Sequence, residues 1–393
     1  MLEALKPQPL DKIIAMIGQF KADPRTEKLD LGVGVYKDVN GKTPIMRAVK
    51  AAEARLLATQ ESKSYVGLLG DLTYNAAMAD LILGDSVDAA RVASAQTPGG
   101  TGAIHQLFEL IKMASPDAKV WISNPSWPNH EAILKHLKMP IGKYTYFDET
   151  TCGVDFDGMK ADISSAAAGD IILLHGCCHN PTGANIISDQ WAELAELLLA
   201  KNLIPMIDIA YQGFGEGLAG DVEGLRIMAE KSPQMLIAAS CSKNFGLYRD
   251  RVGVAIAIAE DAAQQDLTKG ALATINRLNY SFAPDHGAAV VSIIMNDAEL
   301  RADWQSELEE MRLGMLDLRV ELADALRRAT NSDRFDFVAQ HRGMFSRLGL
   351  TAEQVETLRA ENGIYIVSDS RINIAGLPKN GMDDLAKAIA AVL

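Results

Sequence analysis

The stretch Ser240-Cys-Ser-Lys-Asn-Phe-Gly-Leu-Tyr-Arg-Asp-Arg-Val-Gly253 gathers residues able to do chemistry. An apolar run, Met235 to Ala239, has the composition of a buried strand; it ends on two hydroxyls and an amine before a second apolar run, Val252 to Ile258, begins. Lys243 is thereby placed where a sheet ends. An isolated lysine in such a loop is ordinarily a solvated surface residue. Ser240, Ser242, Arg249 and Arg251 shift that balance, because hydroxyl and guanidinium donors around one amine suit the grip of a phosphate beside a nucleophile. Lysine Schiff-base chemistry is what such a set would serve.

Three more polar clusters follow short apolar runs. Val120 to Ile122 leads into Ser123-Asn-Pro-Ser-Trp-Pro-Asn-His130, and Ile171 to Leu174 into His175-Gly-Cys-Cys-His-Asn-Pro-Thr-Gly183. Leu203 to Ile207 leads into Asp208-Ile-Ala-Tyr-Gln-Gly-Phe214. An ionised Asp208 at a strand end is costly unless a cation or N–H donor meets it, although a turn or helix-cap aspartate accounts for the position equally well. Pyridoxal phosphate enzymes need such a carboxylate, since keeping the pyridine nitrogen protonated strengthens the ring as an electron sink. On that reading Lys243 holds the cofactor, Asp208 is the ring partner, and Gly100, Thr101, Ser240 and Arg251 form the phosphate site.

The glycine-rich turn Gln96-Thr-Pro-Gly-Gly-Thr-Gly-Ala103 opens a helix with Ile104, Leu107, Phe108 and Ile111 on one face, which presents backbone N–H groups to an anion. It lacks the G-x-G-x-x-G order of a dinucleotide fold, and no run of clear β character leads into it. The segment His175-Gly-Cys177-Cys178-His179 packs soft ligands together, but without zinc-site spacing or a second ligand pair, so no metal is expected.

Strands that are apolar on both faces and alternate with helices predict a largely parallel, two-sided α/β sheet with ligands at the carboxyl ends of its strands. The polar clusters all fall there. A long amphipathic segment with Leu300, Trp304, Leu308, Met311, Met315, Leu318, Leu322 and Leu326 at spacings of three or four predicts one long helix that carries the chain into a second domain. Beyond Arg328, short strands are expected around Phe335 to Val338 and Tyr365 to Val367, with helices at Thr351 to Glu361 and Met382 to Leu393, a small α+β unit. Gly32 and Gly34 alternate with apolar residues, as in a bulged strand or a backbone close to a ligand. Tyr65 lies in the loop Ser64 to Gly70 and is expected to be exposed.

At 393 residues the chain suggests one large domain and a smaller one. With 38 basic against 51 acidic side chains, a formal charge of −13, neither nucleic acid nor an anionic membrane suits it as main partner. Four cysteines fit a reducing compartment, and no apolar run approaches the ~20 residues of a membrane span, so the cytoplasm is expected.

The motifs around Lys243, Asn180 and Asp208 resemble those of the class I aminotransferases, in the aspartate and aromatic amino acid branch, and the likeness runs along almost the whole chain. The resemblance implies a fold type I architecture: a large domain over 45–310 around a mostly parallel seven-stranded sheet, a small domain from 1–44 and 311–393, and a homodimer with shared active sites. It implies pyridoxal 5'-phosphate as cofactor, with Lys243 as its covalent anchor and then general base and acid. Asp208 would pair with the pyridine nitrogen, supported by His130. Asn180 and Tyr211 would bond the phenolic oxygen and Trp127 would stack on the ring. Gly100, Thr101, Ser240 and Arg251 would hold the phosphate, with Tyr65 from the neighbouring subunit. Arg371 corresponds to the arginine that binds the substrate α-carboxylate, and Arg277 to one that reaches across the dimer to a distal carboxylate. Gly34, Trp127 and Asn180 would border the substrate, with Phe345 close to Arg371. In one departure, Ser281-Phe-Ala-Pro stands where many relatives have a serine, an asparagine and two prolines.

The wording of Ala239-Ser-Cys-Ser-Lys243 and His341-Arg-Gly-Met-Phe-Ser-Arg347 is most similar to bacterial aromatic-type members. The implied activity is transfer of amino groups from aromatic, and also acidic, L-amino acids to 2-oxoglutarate by a ping-pong route. An aspartate aminotransferase with little aromatic activity is the alternative, and a pyridoxal phosphate decarboxylase or lyase a more distant one. A dinucleotide oxidoreductase lacks its ribose-binding acid here, and a cofactor-binding transcription regulator would need a basic DNA-binding module that this composition does not supply.

Overall fold

The computed structural model describes residues 1–7, 12–38, 40–378 and 380–393. Its main sheet has seven strands: β1 (Val92–Pro98), β2 (Val120–Asn124), β3 (Ile141–Thr145), β4 (Ile171–His175), β5 (Ile204–Ile209), β6 (Met235–Ser240) and β7 (Val252–Ile258). Their spatial order is β1-β7-β6-β5-β4-β2-β3. β7 runs antiparallel to β1 and β6, and the remaining pairs are parallel. Every residue of β7 is buried, and β4 is buried up to its last residue, His175. One face of the sheet packs with Leu194, Leu225 and Val290, the other with Leu107, Phe108 and Leu272. That two-sided cover explains why these strands read as continuous apolar runs.

One expectation is corrected here. A strand, β1, does run straight into the glycine turn, where helix α1 (Gly99–Ala114) begins. Val92-Ala-Ser-Ala-Gln-Thr-Pro98 has little intrinsic β preference. Pairing imposes the extended state, in a register from Val252↔Pro98 to Ile258↔Val92. Small residues suit the position, since Ala93 and Ala95 are fully buried in the same core as Leu107 and Phe108 of α1.

Helices α2 (Ala262–Asn279) and α3 (Ala298–Thr330) complete the frame around the site. Asp297 starts α3 by accepting from the N–H groups of Glu299 and Leu300, both at 3.0 Å, and Asn331 ends it in the left-handed region at φ 49°. Trp304, Leu308, Met311 and Met315 join the core beside the sheet. Leu322, Ala323, Ala325 and Leu326 join a separate core containing Leu31, Phe335, Leu358, Ile372 and Leu385, so that core draws on both ends of the chain.

Around that second core, Leu29–Asp30 pairs parallel with Ile364–Tyr365, and β8 (Phe345–Arg347) pairs antiparallel with β9 (Arg371–Asn373). The strand expected at Phe335 to Val338 is absent; the chain turns, with Val338 N–H donating to Phe335 O at 3.1 Å, into a short helix, Phe337–Gln340. Phe335 and Val338 are the fully buried pair, three residues apart, which is helical rather than strand spacing. Among the described residues no helix is long and apolar enough to cross a membrane.

Candidate active site

The carboxyl ends of β4, β5 and β6 and the first turn of α1 open on one cavity of about 250 Å³. Lys243 reaches it from a clamped turn. Cys241 N–H donates to Val252 O at 3.0 Å, extending the β6–β7 pairing, and Gly246 N–H donates to Lys243 O at 2.9 Å. Trp304 of α3 fixes the turn from outside: its indole N–H donates to Asn244 O at 2.7 Å and its ring stacks on Phe245 at 4.4 Å between centroids. The Lys243 Nζ lies 4.7 Å from the centroid of the Tyr211 ring. Burial lowers the amine from the ordinary 10.5 to about 8, with Asp208 pulling up and Arg251 pushing down.

Asp208, near the end of β5, lines the same cavity and is 8% exposed. Burial alone would raise its carboxyl, but the hydrogen bond from His130 and the charges around it prevail, and the group is held below the usual carboxylate value. A polar chain stands behind it. His130 Nε2 meets Asp208 Oδ2 at 2.9 Å, Ser126 Oγ meets His130 Nδ1 at 2.9 Å, and His175 Nε2 meets Ser126 Oγ at 3.3 Å. Burial depresses His175 to about 3, so it is neutral. The links run unbroken from His175 through Ser126 and His130 to the carboxylate. His175 and Ser126 went unrecognised as site residues in the sequence, where only their place at strand ends hinted at it.

The opposite end of the cavity suits an anion. Gly100 and Thr101 line it from the first turn of α1, and among the described residues no side chain caps that turn, so its N–H groups remain available. Gly99 has φ +74°, and a Cβ there would lie 2.5 Å from Arg251 Nη2; glycine is what allows the guanidinium to lie against the turn. Ser240 and Ser242 add hydroxyls, and Arg251 Nη1 donates to Ser242 Oγ at 3.4 Å and Tyr248 O at 3.1 Å. Tyr248, another residue that sequence reasoning missed, also lines the cavity, and its OH accepts from Tyr36 N–H at 3.1 Å. Arg249, grouped with these donors by sequence, is instead exposed.

The second core delivers Arg371 on β9. Its Nη1 donates to Asn180 Oδ1 at 3.2 Å and its Nη2 to Gly32 O at 2.8 Å, while the guanidinium lies 4.2 Å from the centroid of Phe345. Phe345 also meets Tyr211 edge-on at 6.1 Å and lies against Gly34, where a Cβ would be 2.8 Å from the ring. Gly34, Trp127, Asn180 and Tyr211 all line the cavity. Tyr211 lies under Lys243, and burial raises its phenol above the ordinary value.

Two residues singled out by sequence lie elsewhere. Tyr65 is 83% exposed and Arg277 is on the outer side of α2; neither lines this cavity. The sulfurs of Cys177 and Cys178 lie within 4.8 Å of an Asp221 carboxylate oxygen. That carboxylate accepts from the N–H groups of Gly213, Gly215 and Glu216 at 2.7–2.9 Å, which gives it a structural task.

The arrangement gathers an amine of lowered basicity, an ionised carboxylate held by a hydrogen-bonded histidine and an anion cradle around one cavity, with the Arg371 guanidinium bonded to Asn180 of its wall. Comparison with known proteins agrees with that chemistry. The family model described as aminotransferase class I and II matches residues 26–389. An aromatic-amino-acid aminotransferase of Paracoccus denitrificans is 56% identical over 392 residues, covering 100% of both chains. An aspartate aminotransferase of Salmonella typhi is 41% identical over 396 residues, again covering 100% of both. The crystal structure of an aromatic-amino-acid aminotransferase from Burkholderia pseudomallei, covalently bound to pyridoxal phosphate, superposes with a TM-score of 0.97 at 40% identity, covering 100% of this chain and 99% of that one. The chain belongs to the class I and II aminotransferases.

Proposed function

We propose that this aminotransferase uses pyridoxal 5'-phosphate to move amino groups from aromatic and acidic L-amino acids to 2-oxoglutarate. The observation that carries the reading is the convergence of Lys243 and Asp208, from adjacent strand ends, on the cavity that also holds the anion cradle. The fit to the cofactor is chemical: the uncapped first turn of α1 with Ser240 and Arg251 suits its phosphate, and the carboxylate of Asp208 suits a protonated ring nitrogen. When bound, the cofactor supplies a carbonyl that captures amino groups and a ring that accepts electrons from the α-carbon.

The chain's own residues do the rest. Lys243 anchors the cofactor and, once displaced, its Nζ takes the proton from the substrate α-carbon; an amine at about 8 is well matched to that task near neutral pH. Arg371 grips the α-carboxylate, with Asn180 orienting the guanidinium. Asn180 and Tyr211 stand ready for the phenolic oxygen, and Trp127 for the ring face. His130, Ser126 and His175 keep Asp208 ionised. Cofactor binding belongs to 45–310 and the smaller domain to 1–44 with 311–393, a division supported by the separate core around Ile372 and Leu385.

Tyr65 and Arg277, exposed and away from this cavity, serve the cavity of a second copy in a homodimer, where Tyr65 meets the phosphate and Arg277 a distal substrate carboxylate. The higher identity to the Paracoccus denitrificans protein than to the Salmonella typhi one favours aromatic donors. Four free cysteines suit the cytoplasm.

The test is spectroscopic. Purified protein should be yellow and its visible band should move to shorter wavelength when an amino donor is added; a colourless protein that gains no band with added cofactor refutes the scheme. Steady-state kcat/KM for phenylalanine, tyrosine and aspartate with 2-oxoglutarate then ranks the donors, and an aspartate value far above both aromatic ones refutes the aromatic preference.

A further inference from the structure

Tyr65 poses a physical problem. Glu61 to Tyr65 are all exposed, and among the described residues the hydrogen bonds made by this stretch stay within it and the neighbouring Gln60. A phenol that must present its hydroxyl to a phosphate from so loose a segment would lose much of its binding free energy to ordering. The ring of Tyr65 is nevertheless stacked on Phe282, with centroids 4.5 Å apart and planes 15° from parallel.

Phe282 stands on firm ground. Its N–H donates to Tyr280 O at 2.7 Å, and two residues on, Pro284 O accepts from Gln96 of β1 at 2.8 Å. Asn276, one turn earlier in α2 and fully buried, donates to Leu68 O and Gln96 O at 2.8 and 3.2 Å, so one side chain ties the far side of the Tyr65 loop, α2 and β1 together. Among the described residues the loop is thus tied to α2 and β1 through Leu68, beyond Gly67, and the Tyr65 ring stacks on Phe282. Ser281, next to Phe282 in the chain and at φ +64°, accepts from Arg277 Nη1 at 3.0 Å, so the cation is tied to the residue adjoining the aromatic pair.

We propose that Phe282 is a positioning residue: its ring holds Tyr65 in the pose from which the phenol reaches the cofactor phosphate of the second copy. The inference rests on the reading of Tyr65 as a phosphate ligand in trans. The stack pre-orders a side chain that would otherwise be frozen on binding, and aromatic pairs of this kind are worth roughly a two- to tenfold change in an equilibrium constant. Phe282 itself touches neither cofactor nor substrate in this scheme.

The test uses the full-length protein stripped of cofactor and titrated with pyridoxal phosphate by visible absorbance, so the readout is affinity rather than turnover. Phe282→Leu should weaken binding roughly two- to tenfold, and Phe282→Tyr, which keeps the ring, should restore it. Tyr65→Phe should also weaken binding, and Phe282→Leu added to it should cost nothing more, because the hydroxyl being positioned is gone. An unchanged affinity in Phe282→Leu, or the same loss in both Tyr65 backgrounds, overturns the role of Phe282. An unchanged affinity in Tyr65→Phe instead overturns the reading of Tyr65 on which it stands.

Discussion

The acid–base state of Lys243 gives the sharpest test of the site. The difference between an ordinary 10.5 and about 8 leaves roughly 300-fold more neutral amine below pH 8 than a surface lysine has. Only the neutral form attacks a carbonyl, so the rate at which Lys243 of the cofactor-free protein reacts with formaldehyde and cyanoborohydride, followed by peptide mass spectrometry across pH, traces its titration. The midpoint should lie near 8. Two substitutions fix the sign of the electrostatics independently of burial. Asp208→Asn removes the anion that supports the ammonium form and should move the midpoint to lower pH; Arg251→Met removes a repelling cation and should move it to higher pH. A midpoint near 10.5 in the unmodified sequence, or shifts of the opposite sign, would refute this account of the site. Linkage adds a second readout. Because the folded value lies below the unfolded one, the unfolded chain binds the extra proton between about 8 and 10.5, so the cofactor-free protein should gain stability from this group as pH rises through that window.

Two further outcomes follow from the geometry. Arg371→Lys gives up the planar fork that donates to Asn180 and Gly32, and the loss of one charge-assisted bond to the substrate, about 1.5–3 kcal/mol, should lower kcat/KM roughly 10- to 100-fold for tyrosine and aspartate alike; an unchanged KM for both would refute its assignment to the α-carboxylate. Gly99→Ala places a methyl 2.5 Å from Arg251 Nη2 at a φ of +74°, so the guanidinium must move, and cofactor affinity in an absorbance titration should fall about tenfold; an unchanged affinity would remove Arg251 from the phosphate grip.

The residues that carry charge at the ends of apolar runs were legible in sequence. Lys243, Asp208 and the glycine turn sit where a buried strand meets polar residues, a composition boundary that needs no tertiary information. β1 was not legible, because Ala93, Ser94, Ala95 and Gln96 become a strand only when β7 supplies the partner and α1 the cover. At Phe335 to Val338 a strand was expected; burial of both end residues, three apart, goes with a helical turn instead. The His175–Ser126–His130 chain was hidden for a different reason. Each link joins the ends of separate strands, or a strand end to a helix start, and hydroxyl and imidazole partners show no periodicity along the chain. Phe282 was visible as a departure from the family pattern, but its contact with Tyr65 joins two loops remote in sequence.

Helix α3, 33 residues without a break, has its first half in the core beside the sheet and its second half in the core that carries Arg371. Helical hydrogen bonding is cooperative, so fraying from either end withdraws contacts that the other core relies on. Calorimetry should therefore record one melting transition where the packing shows two cores. The same helix reaches from the core around Ile372 to Trp304, whose ring and indole N–H clamp the turn bearing Lys243. The core that carries Arg371 and the turn that bears Lys243 are thus braced by the same continuous helix.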